Sequence, residues 1–270
     1  MIPDAPATAK EPGSGPLAAA VRQSSTLREV EHRPWPHPER TWVMAQTWED
    51  LLFAHWRVPQ DRVQELVPGL PVDAFDGDAW LGITPFVVTN LRAVGTPPAP
   101  GISTFPELNV RTYVTVDEKP GIYFFSLDAG SRLAVAAARR LYRLPYFRAH
   151  MSVRRWGDWV EYESRRSDGR GAPGELRARY RPTGPLYRAE PGSLDYFLAE
   201  RYCLYTLDPT GAILRGEIHH PPWPLQPAEA AIERNSIAPP GLELPAAAPL
   251  LHYARRQDVL IWAPEHVTAR

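Results

Sequence analysis

Lysine is almost absent from this chain. Of its 30 basic residues only Lys10 and Lys119 are lysines, so any chemistry that needs an amine nucleophile has two possible carriers. Arginine cannot take over that role, because its guanidinium stays protonated in proteins. Cysteine is scarcer still. Cys203 stands alone, which excludes an intramolecular disulfide and any zinc site built on several thiolates. Its expected setting is a helix, as a small buried hydrophobe. No sign of charge dominates either: 30 basic and 31 acidic residues give a net charge of −1, without an extended block of either sign. The electrostatic footprint of a nucleic-acid binder or of an anionic-membrane binder is therefore missing. No apolar run approaches the roughly 18 residues that suggest a membrane span. The N-terminal stretch MIPDAPATAKEPGSGPLAAAVRQ lacks the apolar core of a signal peptide. The expectation is a soluble cytoplasmic protein with neither a nucleic-acid nor a membrane partner.

Catalytic signatures are missing as well. There is no Gly-rich phosphate loop, no nucleophile-elbow pattern, and no HExxH-like spacing among the eight histidines. No metal and no cofactor is expected. His219 and His220 are adjacent on an expected strand, so they point to opposite faces and only one can face an interior. His55 and His150 read as half-buried strand residues.

What is present is enough hydrophobic residue, 44%, for a sizeable core. Residues 1–40, rich in Pro, Ala, Ser and Gly, read as a disordered extension, and residues 41–270 as a single domain. Order is expected to begin with a strand over residues 48–58, followed by a short helix that Pro59 opens and Pro68-Gly69 ends. Turn signals then recur at strand spacing: Asp76-Gly77, 117–121, Gly157-Asp158 and 208–211. Each separates two strand-like runs. LLHYA and DVLIW read as a final strand pair. Helices are expected over 131–142, over 194–202 with Ser193 as N-cap, and more weakly over 228–234.

FPELNVRTYV, residues 105–114, carries the densest chemistry. As a strand it places Phe105, Glu107, Asn109, Arg111 and Tyr113 on one face and Leu108, Val110, Thr112 and Val114 on the other. The following run, GIYFFSLDA, is apolar on both faces, which argues against a solvated polar face. Three readings stay open from the residues alone: a buried ion-pair network that fixes register, the wall of a pocket, or a face turned to water.

FPELNVRTYV, PGIYFFSLDA, LPYFRAHM, SLDYFLAERY and HHPPWPLQ, with HWRVP and DGDAWLGITPF before them, resemble the bacterial YqjF-like family of uncharacterised proteins. The resemblance runs over residues 42–263. That family is in turn similar, more distantly, to acetoacetate decarboxylase-like proteins. The resemblance implies an α+β fold, a mostly antiparallel β-barrel of acetoacetate decarboxylase-like type with a few flanking helices and an enclosed small-molecule pocket. It also implies that Glu107 matches a pocket glutamate of the decarboxylases. Their Schiff-base lysine falls here in RLPYFRA, where Pro145 and Tyr146 stand and no lysine does. The expected function is a pocket for a small organic carboxylate or carbonyl compound, without Schiff-base decarboxylation. Arg111 would anchor the anion, Asn109, Tyr113 and His55 would complete the binding set, and Glu107 is the candidate acid or base. A lyase or proton-transfer enzyme using Glu107, and a scaffold with a structural polar core, are the alternatives.

Overall fold

The computed structural model describes residues 15–99 and 101–267. The strands are β1 (Met44–Val58), β2 (Ala79–Ala93), β3 (Phe105–Val116), β4 (Lys119–Ala129), β5 (Tyr146–Trp156), β6 (Trp159–Arg166), β7 (Glu175–Pro182), β8 (Cys203–Leu207), β9 (Ile213–His219), β10 (Leu225–Asn235), β11 (Leu250–Ile261) and β12 (Glu265–His266). The α-helices are α1 (Pro16–Ser25), α2 (Gln60–Gln64), α3 (Arg132–Tyr142) and α4 (Leu194–Ala199).

All twelve strands join one sheet, in the order β12-β9-β8-β4-β3-β2-β1-β11-β10-β7-β6-β5. β4 runs parallel to β5 and to β8, and every other pairing among the described residues is antiparallel, so the sheet is mixed. Two pairings beyond that order, β9 with β11 and β4 with β5, turn the sheet back upon itself. The fold is a strand-rich α+β arrangement. Its turns follow local chemistry: Asp76 and Gly77 take φ of 53° and 84°, and Asp117 and Glu118 take 49° and 60°. These paired positive angles suit the right-handed twist of a two-residue hairpin. Ser131 opens α3 by accepting a hydrogen bond from the Ala134 N–H at 3.3 Å, and Ser193 does the same for Tyr196 at 3.2 Å in α4.

Several elements differ from the sequence expectation. Residues 228–234, expected as a weak helix, lie in β10 and pair with β7. LLHYA and DVLIW are not a hairpin but one strand, β11, whose two halves both pair with β1. The intervening Arg255-Arg256-Gln257 contains no residue that must turn the chain. Cys203 begins β8 rather than lying in a helix, because α4 stops at Ala199. It is buried there all the same.

The largest correction concerns the expected disordered extension. Its residues 1–14 lie outside the described residues, but 15–40 are ordered and docked on the sheet. α1 seats Gln23, fully buried, against Thr47 Oγ1 and the Asn90 carbonyl at 3.1 Å each. The Gln23 side-chain carbonyl in turn accepts from Arg92 Nε at 2.7 Å. Further on, Arg33 pairs with Glu217 at 3.3 Å, and the Trp35 indole donates to the same carboxylate at 2.9 Å. Composition hid this strap because its anchors are polar residues spaced without period. Its partners, moreover, lie up to 236 residues away in the chain.

The strap also explains why both His219 and His220 are buried, although they leave a strand on opposite sides. His219 Nε2 meets the Thr26 carbonyl of the strap at 2.8 Å, while His220 borders the interior cavity.

Candidate functional site

β3 lies between β2 and β4, with Glu107 opposite Phe86, Asn109 opposite Thr84 and Arg111 opposite Gly82 on the β2 side. Glu107, Asn109 and Arg111 are each 5% exposed, so the solvated-face reading fails. They border an internal cavity with about 80 Å³ of room for the centre of a water-sized molecule. Of the candidate residues, Tyr113 and His55 do not border it. They support Arg111 instead, and His55 is fully buried where the sequence suggested half-burial.

The support begins at the end of α4. A helix leaves its last carbonyls without intrahelical partners, and the Leu198 carbonyl accepts from Tyr113 Oη at 2.9 Å and from Arg111 Nη2 at 3.3 Å. With its hydroxyl proton committed there, Tyr113 accepts from His55 Nε2 at 2.6 Å. This fixes the His55 tautomer with its proton on Nε2. Burial first, then electrostatic interaction with Arg111 and His252, push the His55 pKa well below 6.5, so the ring is neutral. Gly82 makes room for the arrangement: a Cβ there would stand 3.1 Å from the His55 ring and 3.2 Å from Arg111 Cγ.

Arg111 therefore sits deep in the protein with rings for neighbours. Its guanidinium lies 5.1 Å from the Phe53 ring centre and 5.7 Å from that of Tyr113. No carboxylate pairs with it among the described residues, and its Nε has no hydrogen-bond partner among them. The same holds for Asn109 Oδ1, Thr84 Oγ1, Tyr142 Oη and Trp223 Nε1, all on the cavity lining. Buried polar atoms are normally paired, and an unpaired buried cation is among the costliest groups a fold can carry. Five unsatisfied polar groups converge on one space. The register network considered from sequence is thus not what this face forms.

Glu107 is the only carboxyl on that lining among the described residues. Burial pushes its pKa from 4.5 up to about 8, against the opposing pull of hydrogen bonds from Tyr146 and Asn109. Tyr146 Oη lies 3.1 Å from both carboxyl oxygens, and Tyr162 Oη holds the Glu107 backbone carbonyl at 2.6 Å. At neutral pH the group carries its proton. A second arginine, Arg201, reaches the lining from beyond α4, but it is matched by Asp73 at 2.7 Å. His220 is neutral there, its pKa lowered to about 4, chiefly by burial.

Sequence reasoning missed Thr84, Tyr142 and Trp223 and assigned no role to Tyr146. A threonine inside the apolar run LGITPFVV was the one local signal for Thr84. Tyr146 could be found only once the parallel β4–β5 pairing, Leu127 opposite Tyr146, placed it beside β3. Lys119 is at the β3–β4 turn, 3.5 Å from Glu217, and does not border the cavity. Among the described residues, no group of three or more His, Cys, Asp or Glu could hold a metal ion. No helix among them is long and apolar enough to cross a membrane.

The strand-rich α+β fold that holds this cavity is similar to that of solved acetoacetate decarboxylase-like proteins. The acetoacetate decarboxylase of Legionella pneumophila superposes with a TM-score of 0.57 at 12% identity, over 89% of this chain and 94% of that one. An acetoacetate decarboxylase-like enzyme from Sphingomonas wittichii RW1 gives 0.57 at 16% identity, over 88% and 98%. The enduracididine biosynthesis enzyme MppR, complexed with pyruvate, gives 0.56 at 10% identity, over 88% and 93%. These likenesses define the fold. Within it, the chain belongs to DUF2071, a family described as uncharacterized conserved protein, whose model matches residues 45–258. The uncharacterized protein YqjF of Bacillus subtilis is 50% identical over 227 residues, covering 83% of this chain and 93% of YqjF.

Proposed function

We propose that the sheet closes as a barrel around the cavity and that the cavity binds a small organic molecule bearing a carboxylate or carbonyl group. The observation that carries this reading is Arg111, 5% exposed, with no ion-pair partner among the described residues and an unpartnered Nε. A ligand carboxylate would neutralise it and satisfy that donor, and a charge-assisted hydrogen bond of this kind is about twice as strong as a neutral one. Asn109 and Thr84, with unsatisfied oxygens beside it, would set the orientation of the bound group. Glu107, on the same lining with its pKa raised to about 8 and Tyr146 beside it, would be the group that exchanges a proton with such a ligand. The reaction, where there is one, proceeds without a Schiff base, since no lysine among the described residues borders the cavity and arginine cannot act as the amine.

The test is a thermal-shift screen of the full chain against small carboxylates and carbonyl compounds, with Arg111→Met alongside. At 100 times its dissociation constant a ligand stabilises the folded state by about 2.7 kcal/mol. The expected outcome is a shift in the wild-type protein that the still-folded variant lacks. Equal shifts in both proteins, or none in either, would refute the role of Arg111.

A further inference from the structure

The lining of the cavity is chemically two-sided, and strand pairing makes it so. Most of the unsatisfied polar groups come from the paired strands β2 and β3, Thr84 opposite Asn109 and Gly82 opposite Arg111, with Glu107 one pleat further along; Gln46 of β1, Tyr146 of β5, Arg201 and His220 also border the cavity, each with a hydrogen-bond partner inside the protein. The strands that complete the ring, β4, β8, β9 and β11, contribute Ile122, Phe124, Leu127, Leu204, Ile218 and Ile261. These six belong to one contiguous apolar cluster. Their burial on one side and the ligand space on the other leave no polar side chain in that stretch of wall.

Charge restricts the occupant further. Arg201 is balanced by Asp73 at 2.7 Å, and Glu107 keeps its proton at neutral pH, because burial outweighs the hydrogen bonds that oppose it. Among the described residues Arg111 is then the single uncompensated charge on the lining. A ligand with one negative charge neutralises the site, whereas a second carboxylate would be pressed into apolar wall, where an unpaired charge is heavily penalised.

We infer that the ligand is a monocarboxylate with an apolar aliphatic or aryl body, its head on Arg111 and its body against the wall formed by β4, β8, β9 and β11. This rests on the reading of the cavity as an organic-anion site, and it narrows that site to one chemical class. Tyr142 Oη and Trp223 Nε1 are the only unsatisfied polar atoms on the lining outside β2 and β3 among the described residues. Both are donors able to meet a single acceptor on such a body, and neither offers a charge to a second carboxylate.

Calorimetric titration of the full chain at pH 7 tests this with four probes: butyrate, hexanoate, adipate and lactate. Each methylene moved from water into the apolar wall adds about fourfold in affinity, which is 0.8 kcal/mol converted. Hexanoate is therefore expected to bind about fifteenfold more tightly than butyrate. Adipate, of the same length with a second carboxylate, is expected to bind at least a hundredfold more weakly than hexanoate, and lactate more weakly than butyrate. If lactate or adipate matches hexanoate and Arg111→Met abolishes that binding, this inference is overturned while the organic-anion site stands. If no probe binds the wild-type chain at millimolar concentration, both are overturned.

Discussion

Replacing Glu107 by glutamine removes the only ionisable carboxyl that the described residues bring to the cavity lining, while keeping its size and an acceptor for Tyr146. The folded chain holds the Glu107 proton up to about pH 8, whereas an unfolded glutamate releases it near 4.5. Between those values the folded state binds more protons than the unfolded one, so stability falls as pH rises and the loss is complete above about 8. At 1.36 kcal/mol per pH unit, the burden on the wild-type fold is about 1 kcal/mol at pH 5 and about 5 kcal/mol at pH 9. Glutamine carries no such burden. Urea unfolding of both proteins at pH 5, 7 and 9 should therefore show a gap in favour of Glu107→Gln of about 1 kcal/mol at pH 5 that widens to about 5 kcal/mol at pH 9. Groups present in both proteins, such as Asp128 with its pKa raised to about 6 mainly by burial, cancel in the comparison. Parallel pH profiles, within about 1 kcal/mol of each other from pH 5 to 9, would refute the protonated, desolvated carboxyl and with it the charge argument for a monoanionic ligand.

Two further predictions concern the rest of the molecule. Glu217→Leu leaves Arg33, whose side chain is 1% exposed, without its carboxylate. Breaking a buried pair from one side costs about 3–5 kcal/mol, so the variant should unfold at lower urea and release the strap to limited proteolysis before global unfolding; unchanged cleavage within 15–40 would contradict the anchoring role. Incubation with a keto acid and borohydride, followed by mass spectrometry, should leave Lys119 unmodified, since it pairs with Glu217 and does not border the cavity. A reduced adduct on Lys119 would overturn the non-covalent reading.

Much of this protein was legible from its sequence because the information is local. The alternation of FPELNVRTYV placed Glu107, Asn109, Arg111 and Tyr113 on one face of a strand, and they share a face in β3. Asp76-Gly77, Gly157-Asp158 and Ser193 signalled turns and a cap through the backbone angles and hydrogen bonds that those residues favour. AEAAIER misled for a related reason. Ala and Glu favour a helix when nothing else intervenes, yet in β10 this run satisfies its backbone on β7, far away in sequence.

The functional face shows the same division. Residue types and a period of two determined which side chains stand together, because side-chain direction along a strand is a property of the chain itself. Whether that face meets water, a counter-charge or a cavity was decided only in three dimensions. In the assembled sheet, with its additional pairings β9–β11 and β4–β5, this face is buried from solvent. The parallel approach of β5 set Tyr146 on Glu107, and the C-terminal end of α4 offered Arg111 a carbonyl instead of a carboxylate. The strap sealed the outer side of His219. Each of these depends on contacts between residues far apart in the chain, and the dielectric surroundings that raise one pKa and leave one arginine unmatched are created by the assembled fold.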